Sequence, residues 1–281
     1  MKTLQELSRE GAAILRDLPR PDLEARLLLL RTVYLSAEVL HADPGRLVPD
    51  PTAAAYKRLL ARRSKGEPLA YITGDKEFWS LSFEVGPGVL IPRPETELIV
   101  ETVLRLSRGG KERIIDLGTG SGNIAVSLAK ELPGARIIAA DISLRALRWA
   151  RENAARHGVR NLAFVRSRGF AGLRKGAWLG RYDFIVSNPP YVSISEWEIL
   201  PAEIRLYEPK RALVAGNTGL EFIRKLIPAA RPFLRPGGHL VFEIGFGQKD
   251  GVLSLFDESW EEVGVENDLA GIPRIFVARR R

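Results

Sequence analysis

The chain has 281 residues, 45% hydrophobic and 27% charged, with a formal net charge of +8 and a pI near 9.9. That balance is ordinary for a folded globular protein, and the length suits two domains. The absence of cysteine excludes a disulfide scaffold and a thiolate metal site, while His41, His157 and His239 are scattered without ligand spacing, so no metal is expected. No apolar run is long enough to span a membrane, and the opening Met1-Lys-Thr-Leu-Gln-Glu-Leu7 carries an acid and no signal-type core, so a cytoplasmic chain is expected. The basic charge allows an anionic partner; a solvated surface is the simpler reading.

In chain order, residues 1–64 predict helices. Leu4, Leu7, Ala12 and Leu15 recur with the spacing of one apolar helix face. Pro21-Asp22 starts a second helix through Leu23, Ala25 and the leucines at 27–30, with Tyr34 and Val39 further on, before Asp43-Pro44-Gly45 breaks the run. A third helix fits residues 53–63. No paired acids or nucleophile settings occur here, so residues 1–66 are expected to form a small helical domain that recognises a partner. From Gly66 the pattern changes. Tyr71-Ile72-Thr73-Gly74, Glu77-Phe78-Trp79 and Leu81-Ser82-Phe83-Glu84-Val85 predict short strands, with a hairpin linking the domains over residues 67–90. Ile91-Pro-Arg-Pro-Glu-Thr-Glu97 is a stiff loop entering a helix, placed to form a lid, with Glu95 and Glu97 favourable near the helix N-terminus.

From residue 113 strands and helices alternate. Residues 114–117 make a strand, Gly118-Thr-Gly-Ser-Gly122 a turn, residues 124–132 a helix and residues 135–140 a second strand ending at Asp141. A helix over 144–157, strands over 162–165 and 182–186, a helix over 218–233 and a fifth strand over 238–244, after the turn Pro236-Gly-Gly238, come next. Two last strands, 260–265 and 274–278, are expected to close the sheet as a hairpin. The pattern predicts an α/β domain over residues 91–281 built on a doubly wound, mostly parallel, seven-stranded Rossmann-like sheet.

The glycines of Asp116-Leu-Gly-Thr-Gly-Ser-Gly122 let backbone approach a ligand. Their spacing is G-x-G-x-G, which departs from the dinucleotide fingerprint, and no Lys-Ser/Thr of a phosphate loop is present. Asp141, ending the next strand, can take both hydroxyls of a ribose, or it can cap the following helix. Asp116 can accept from a ligand ammonium. A ligand with a ribose, an amino-acid tail and a positive centre fits this set, and S-adenosylmethionine meets that description better than NAD. The candidate cofactor residues are therefore Asp116, Gly118, Thr119, Gly120, Ser121, Gly122 and Asp141. The second group is Asp183-Phe-Ile-Val-Ser-Asn-Pro-Pro-Tyr191: an apolar strand stopped by two prolines, which leaves Asn188 at its carboxyl end, where open α/β sheets bind ligands. Asn188 can accept from a planar NH2 group while Tyr191 packs on its face. On its own, the same stretch reads as a strand terminator and turn.

Together these residues resemble class I S-adenosylmethionine-dependent methyltransferases, and Asn188-Pro189-Pro190-Tyr191 resembles the signature of those that modify planar NH2 groups. Gly66-Glu-Pro-Leu-Ala-Tyr-Ile-Thr-Gly74, Phe78, Ile91-Pro-Arg-Pro-Glu-Thr-Glu97, Glu208-Pro209 with Leu213 and Gly216, Gly219-Leu220 and Asp268-Leu-Ala-Gly271 with Arg274 extend the likeness nearly end to end, along with Asp22-Leu-Glu-Ala-Arg-Leu-Leu-Leu29. The family is the protein-(glutamine-N5) methyltransferases of peptide chain release factors (PrmC/HemK). The resemblance implies S-adenosyl-L-methionine as cofactor, with Asn188 also beside it, and as substrate the glutamine of the Gly-Gly-Gln loop in class 1 release factors. Catalytic roles fall on Asn188, Pro189, Pro190 and Tyr191. A monomer without direct nucleic-acid binding is expected. One departure concerns the segment after the third strand, where the family carries an acid and then an aromatic flanking the adenine. Here the run is Arg166-Ser-Arg-Gly-Phe170, so Arg168 and Gly169 stand at those places, and Gly169 and Phe170 are the candidates for adenine contact. Arg166, Arg168, Arg174, Lys175 and Arg181 read as a solvated basic rim.

An amide nitrogen is a poor nucleophile because its lone pair is delocalised. The side-chain oxygen of Asn188 and the backbone carbonyl of Pro189 are expected to accept its two N–H bonds and stabilise the charge that builds on it. Two competing readings keep the same residues: an amino methyltransferase acting on adenine or guanine in nucleic acid, and a non-catalytic cofactor-binding adaptor. An NAD oxidoreductase is disfavoured by the glycine spacing.

Overall fold

The computed structural model describes residues 1–173 and 178–281. The chain forms two compact units, residues 1–75 with 202–207, and residues 76–201 with 208–281.

The first unit is helical, with helices Leu4–Ile14, Pro21–Val33, Ala37–Ala42, Asp50–Arg63, Leu69–Thr73 and Ala202–Tyr207, and one short strand pair, Lys2–Thr3 with Leu47–Val48. Thr3 and Glu6 form a reciprocal capping box that starts the first helix. Leu4, Leu7, Leu28, Leu29 and Leu60 are fully buried around Tyr56. The run expected to continue past Tyr34 ends there instead: Tyr34 takes the left-handed conformation, φ 54°, and a new helix begins after Ser36. Residues 71–73 belong to a helical turn, not a strand, because Pro68 starts it and Gly74, at φ 82°, closes it. Gly11 is needed for helix packing, since a Cβ there would sit 1.9 Å from the Tyr56 hydroxyl oxygen. That hydroxyl donates to the Ala25 carbonyl at 3.0 Å. Arg63, buried, donates to Glu24 (2.5 Å), Glu203 (2.8 Å) and the Glu67 carbonyl (2.9 Å), which compensates its desolvation.

The second unit opens with the hairpin Asp75–Phe78 and Leu81–Glu84. Trp79 and Ser80 both have positive φ, 52° and 55°, the geometry of a tight hairpin turn that matches strand twist. Phe78 and Phe83 are buried with Ile99 and Val103, so the hairpin expected to link two domains is part of this unit's core, while residues 67–74 stay with the helices. Helix α1 (Glu97–Leu106) follows, then β1 (Arg113–Leu117), α2 (Asn123–Glu131), β2 (Arg136–Asp141), α3 (Leu144–Arg156), β3 (Leu162–Arg166), β4 (Tyr182–Ser187), α4 (Glu221–Ala230), β5 (Leu234–Glu243), β6 (Trp260–Asn267) and β7 (Pro273–Arg280). The seven strands lie in the order β6-β7-β5-β4-β1-β2-β3. All neighbours pair in parallel except those of β7, which runs antiparallel to β5 and β6. The sheet is therefore mixed, with one reversed strand. Ile114, Ile115, Ile185, Val186, Leu240 and Val241 are fully buried along its centre, as strands covered on both faces require.

The glycines at 237 and 238 lie within β5 as a register shift, where the sequence predicts a turn ahead of it. A Cβ on Gly238 would meet the Tyr182 carbonyl at 2.8 Å, so the residue allows the two chains to approach. Order reverses between β1 and β4: the chain goes outward from β1 through β2 to β3, then returns to β4 on the other side of β1. Ligands of open α/β sheets bind at the carboxyl ends of strands at such a switch point. Among the described residues no helix is long and apolar enough to cross a membrane, and no cluster of His, Asp and Glu is placed to hold a metal ion.

Candidate active site

At the carboxyl end of β1 the chain turns through Gly118, Gly120 and Gly122, all with positive φ (77°, 57° and 83°), before α2 begins. The Gly118 and Thr119 amides donate to the Ala140 carbonyl at 2.7 and 3.1 Å, which pins the turn to the end of β2. The Gly120 amide donates to Asp141 Oδ2 at 3.0 Å, and the Ser143 amide donates to Asp141 Oδ1 at 2.8 Å. Ser143, not Asp141, caps α3 with its side chain, accepting from the Ala146 amide. Each Asp141 oxygen thus keeps a lone pair for a ligand hydroxyl. Burial raises the Asp141 pKa, against the pull of those two amides.

A cavity of about 730 Å³ takes in Gly118, Thr119, Gly120 and Ser121 of this turn, and Asp141. It also takes in Gly169, Asn188, Pro189 and Pro190. The structure thereby brings together most of the residues singled out by sequence. Four fall outside the lining. Gly122 faces α3, where a Cβ would lie 3.0 Å from that of Ala150, so it serves helix packing. Phe170 is 4% exposed and stacks on Phe233 at 4.7 Å between ring centroids, so it is a core residue. Tyr191 donates its hydroxyl to Glu243 Oε1 at 2.9 Å and, half-buried, packs against the core. Asp116 is fully buried between a core strand and the turn. Its Oδ2 accepts the Thr119 hydroxyl at 2.6 Å, and its Oδ1 has no partner in hydrogen-bonding geometry. Burial, reinforced by the neighbouring Asp141, pushes the Asp116 carboxyl up to about 7, while the Thr119 hydroxyl and the Ala125 amide act the other way.

Asn188 follows β4 directly. The Ser187 hydroxyl donates to the Leu117 carbonyl at 2.7 Å, tying the ends of β4 and β1 together at the switch point. Asn188 Nδ2 donates to Thr96 Oγ1 at 2.9 Å, and Thr96 Oγ1 donates in turn to Glu243 Oε2 at 2.6 Å. Glu243 ends β5 and is 2% exposed; burial raises its pKa, opposed by the hydroxyls of Thr96 and Tyr191. Gln248 completes the setting, donating to the Tyr191 carbonyl at 2.8 Å and accepting from the Gly245 amide at 2.9 Å. Thr96, Glu243 and Gln248 were not legible as site residues. The one available signal is the acid in Val241-Phe-Glu-Ile244, an ionisable group in an otherwise apolar strand end, which must find partners if buried.

The Ile91–Glu97 stretch contributes Pro92, Arg93 and Thr96 to the cavity wall. Buried Glu208 fastens it, accepting from the Ile91 amide at 3.0 Å and from Arg93 Nη2 at 2.6 Å. Arg168 also lines the cavity, and Arg166 and Arg181 are exposed; Arg174 and Lys175 lie outside the described residues.

An acidic, acceptor-rich floor, glycine backbone without a phosphate-gripping lysine, and an orphaned buried carboxylate oxygen suit S-adenosylmethionine, a cationic ligand with an ammonium and a ribose. The fold agrees. Residues 94–208 match the Methyltransferase small domain family. The crystal structure of a methyltransferase from Pyrococcus furiosus superposes with a TM-score of 0.51 at 22% identity, covering 80% of this chain and 98% of that one. The chain has a methyltransferase fold.

Residues 6–74 match the PrmC N-terminal domain family. The release factor glutamine methyltransferase of Nitratidesulfovibrio vulgaris is 43% identical over 99% of this chain and 95% of its own length. That of Vibrio cholerae is 40% identical over 91% of this chain and 88% of its own length. The chain belongs to the release factor glutamine methyltransferase family.

Proposed function

We propose that this protein methylates the side-chain amide nitrogen of the glutamine in the Gly-Gly-Gln loop of class 1 peptide chain release factors, with S-adenosyl-L-methionine as donor. The observation that carries the reading is the orientation of Asn188. Its NH2 group is engaged by Thr96, so its carbonyl oxygen is the end left for a ligand in the cavity. An acceptor at that place suits a substrate that brings N–H donors, as a primary amide does. The family relationship along the whole chain supports reading that amide as a release-factor glutamine.

When bound, the cofactor supplies an activated methyl group on a sulfonium. Asp116 Oδ1 is assigned to its ammonium, Asp141 to its ribose, and Gly118, Thr119, Gly120, Ser121 and Gly169 to backbone contact. Asn188 Oδ1 and the Pro189 carbonyl accept the two N–H bonds of the glutamine amide. They hold its nitrogen in place and stabilise the positive charge that develops there. Orienting two bound reactants contributes up to roughly 7–11 kcal/mol in favourable cases. Neither Asn188 nor Pro189 is a base, so the proton leaves to water after transfer. The helical unit is assigned recognition of the release factor; Leu23, Leu27 and Tyr34 are exposed along its second helix and cap.

Incubation with purified release factor and S-adenosylmethionine, followed by mass spectrometry of loop peptides, tests this. A single added methyl on the Gly-Gly-Gln glutamine is the expected result. Methyl found on RNA, or on another residue of the factor, would overturn it.

A further inference from the structure

We propose that Thr96 and Glu243 are positioning residues whose hydrogen-bond polarity decides which end of the Asn188 amide faces the substrate. The inference rests on the reading that the methylated nitrogen is a planar NH2 group. An asparagine amide has two ends of nearly equal size, one donor and one acceptor, joined to the chain by a soft torsion with roughly two-fold symmetry. Packing alone does not select between them. Glu243 accepts the Thr96 hydroxyl proton on its Oε2 and the Tyr191 hydroxyl proton on its Oε1. Thr96 Oγ1, its proton spent, offers only lone pairs, and Asn188 must present NH2 to it. The carbonyl end is left for the substrate.

The reversed amide would put its NH2 against the substrate NH2, donor against donor, and would set its carbonyl against the oxygen of Thr96. Thr96 is 1% exposed and Glu243 2%, so water does not supply substitutes for broken bonds in the chain of three. The three residues come from the loop before α1, the end of β5 and the end of β4, so the device depends on the folded sheet and on no local motif.

The variants are Thr96→Val, Thr96→Ser and Glu243→Gln, assayed as full chains with release factor as methyl acceptor. Valine keeps the shape of threonine without donor or acceptor. For Thr96→Val, kcat should fall about tenfold or more, the loss of one buried hydrogen bond and the wrong amide end. The dissociation constant for S-adenosylhomocysteine, measured by calorimetry, should stay within about twofold, since Thr96 and Asn188 bond to neither Asp116 nor Asp141. Thr96→Ser should recover most of the rate because it keeps the hydroxyl. Glu243→Gln can show Thr96 either a donor or an acceptor, and should give an intermediate rate at unchanged cofactor affinity. A purely structural role would predict that rate and cofactor affinity fall together and that serine fails to rescue. That outcome, or wild-type kcat in Thr96→Val, overturns the proposal. Should Thr96→Val not fold, Glu243→Gln alone decides, by loss of kcat at intact cofactor binding against no loss. The identity of the acceptor is read separately from the wild-type protein: methyl on an RNA base would overturn the release-factor reading while the variant-to-wild-type ratio still reads the relay. No transfer by the wild-type protein to any acceptor would overturn both.

Discussion

Asp116 receives the Thr119 hydroxyl on one carboxylate oxygen, at 2.6 Å, and keeps the other buried without a partner, next in the chain to Leu117 of the cavity wall. A buried acceptor left open costs free energy, on the order of 1–3 kcal/mol, and a ligand cation that fills it recovers that cost. Our assignment of the cofactor ammonium to this oxygen rests on that open acceptor.

The Asp116 carboxyl sits near 7 in the free protein, against an ordinary value of 3.8. The folded state therefore holds this proton over the range between those values, where the unfolded chain has released it. Its contribution to stability is full below about 4 and is lost as pH rises through about 7. A bound ammonium favours the ionised form, so binding of S-adenosylhomocysteine should release protons near neutral pH and tighten as pH rises from about 5 toward about 7. Calorimetry in two buffers of different ionisation enthalpy measures the release. Asp116→Asn should abolish it and weaken binding by about tenfold or more.

Asp141, which we assign to the cofactor ribose, also holds the Gly120 and Ser143 amides together. Asp141→Ala should raise the cofactor dissociation constant at least about tenfold, through loss of charged hydrogen bonds. Turnover extrapolated to saturating cofactor should fall much less. Steady-state kinetics over a range of cofactor concentrations separates the two quantities.

Glu208 fastens the loop that carries Pro92, Arg93 and Thr96 into the cavity wall. Removing its carboxylate with Glu208→Ala takes away the acceptor of the Ile91 amide. That amide should then exchange with solvent deuterium about ten- to a hundredfold faster, the worth of a charged hydrogen bond. Hydrogen-exchange mass spectrometry of the peptide covering residues 88–98 reads it; unchanged exchange would mean that the prolines alone hold the loop.

In the helical unit, Gly11→Ala drives a methyl to within 1.9 Å of the Tyr56 hydroxyl oxygen and 3.0 Å of the Ala25 methyl. The two helices must separate or the Tyr56–Ala25 bond must break, and stability should fall by about 1–3 kcal/mol, as for other overpacked cores. Denaturant unfolding of the helical unit's transition in the full chain measures this.

Local chemistry made part of this legible in the sequence. The glycine turn, the acid ending β2 and the proline-stopped strand before Asn188 are each written in a few consecutive residues, and the cavity gathers them. What escaped is long-range or depends on the direction a side chain takes. Thr96 and Glu243 are 147 residues apart, and nothing in either neighbourhood announces the other. Phe170 and Tyr191 follow site residues in the chain, which is why they read as ligand-flanking aromatics; in the fold Phe170 belongs to the core and Tyr191, half-buried, packs against it. The short Leu69–Thr73 helix was hidden by β-branched and aromatic residues, whose strand preference loses to the start at Pro68 and the left-handed close at Gly74. The tight turn at Trp79-Ser80 lacks Asn and Gly, and is held by Glu97, which accepts from the Trp79 amide at 2.8 Å.

Asn188, as we propose, presents an acceptor to the amide of a release-factor glutamine. Transfer of labelled methyl from S-adenosylmethionine should be measured with the wild-type protein and Asn188→Ala, each offered purified release factor, its Gly-Gly-Ala variant and total RNA. Label is expected on the wild-type factor alone, lost in Asn188→Ala while that variant still binds S-adenosylhomocysteine within about twofold of the wild type. Label on the Gly-Gly-Ala factor or on RNA, or full transfer by Asn188→Ala, would contradict it.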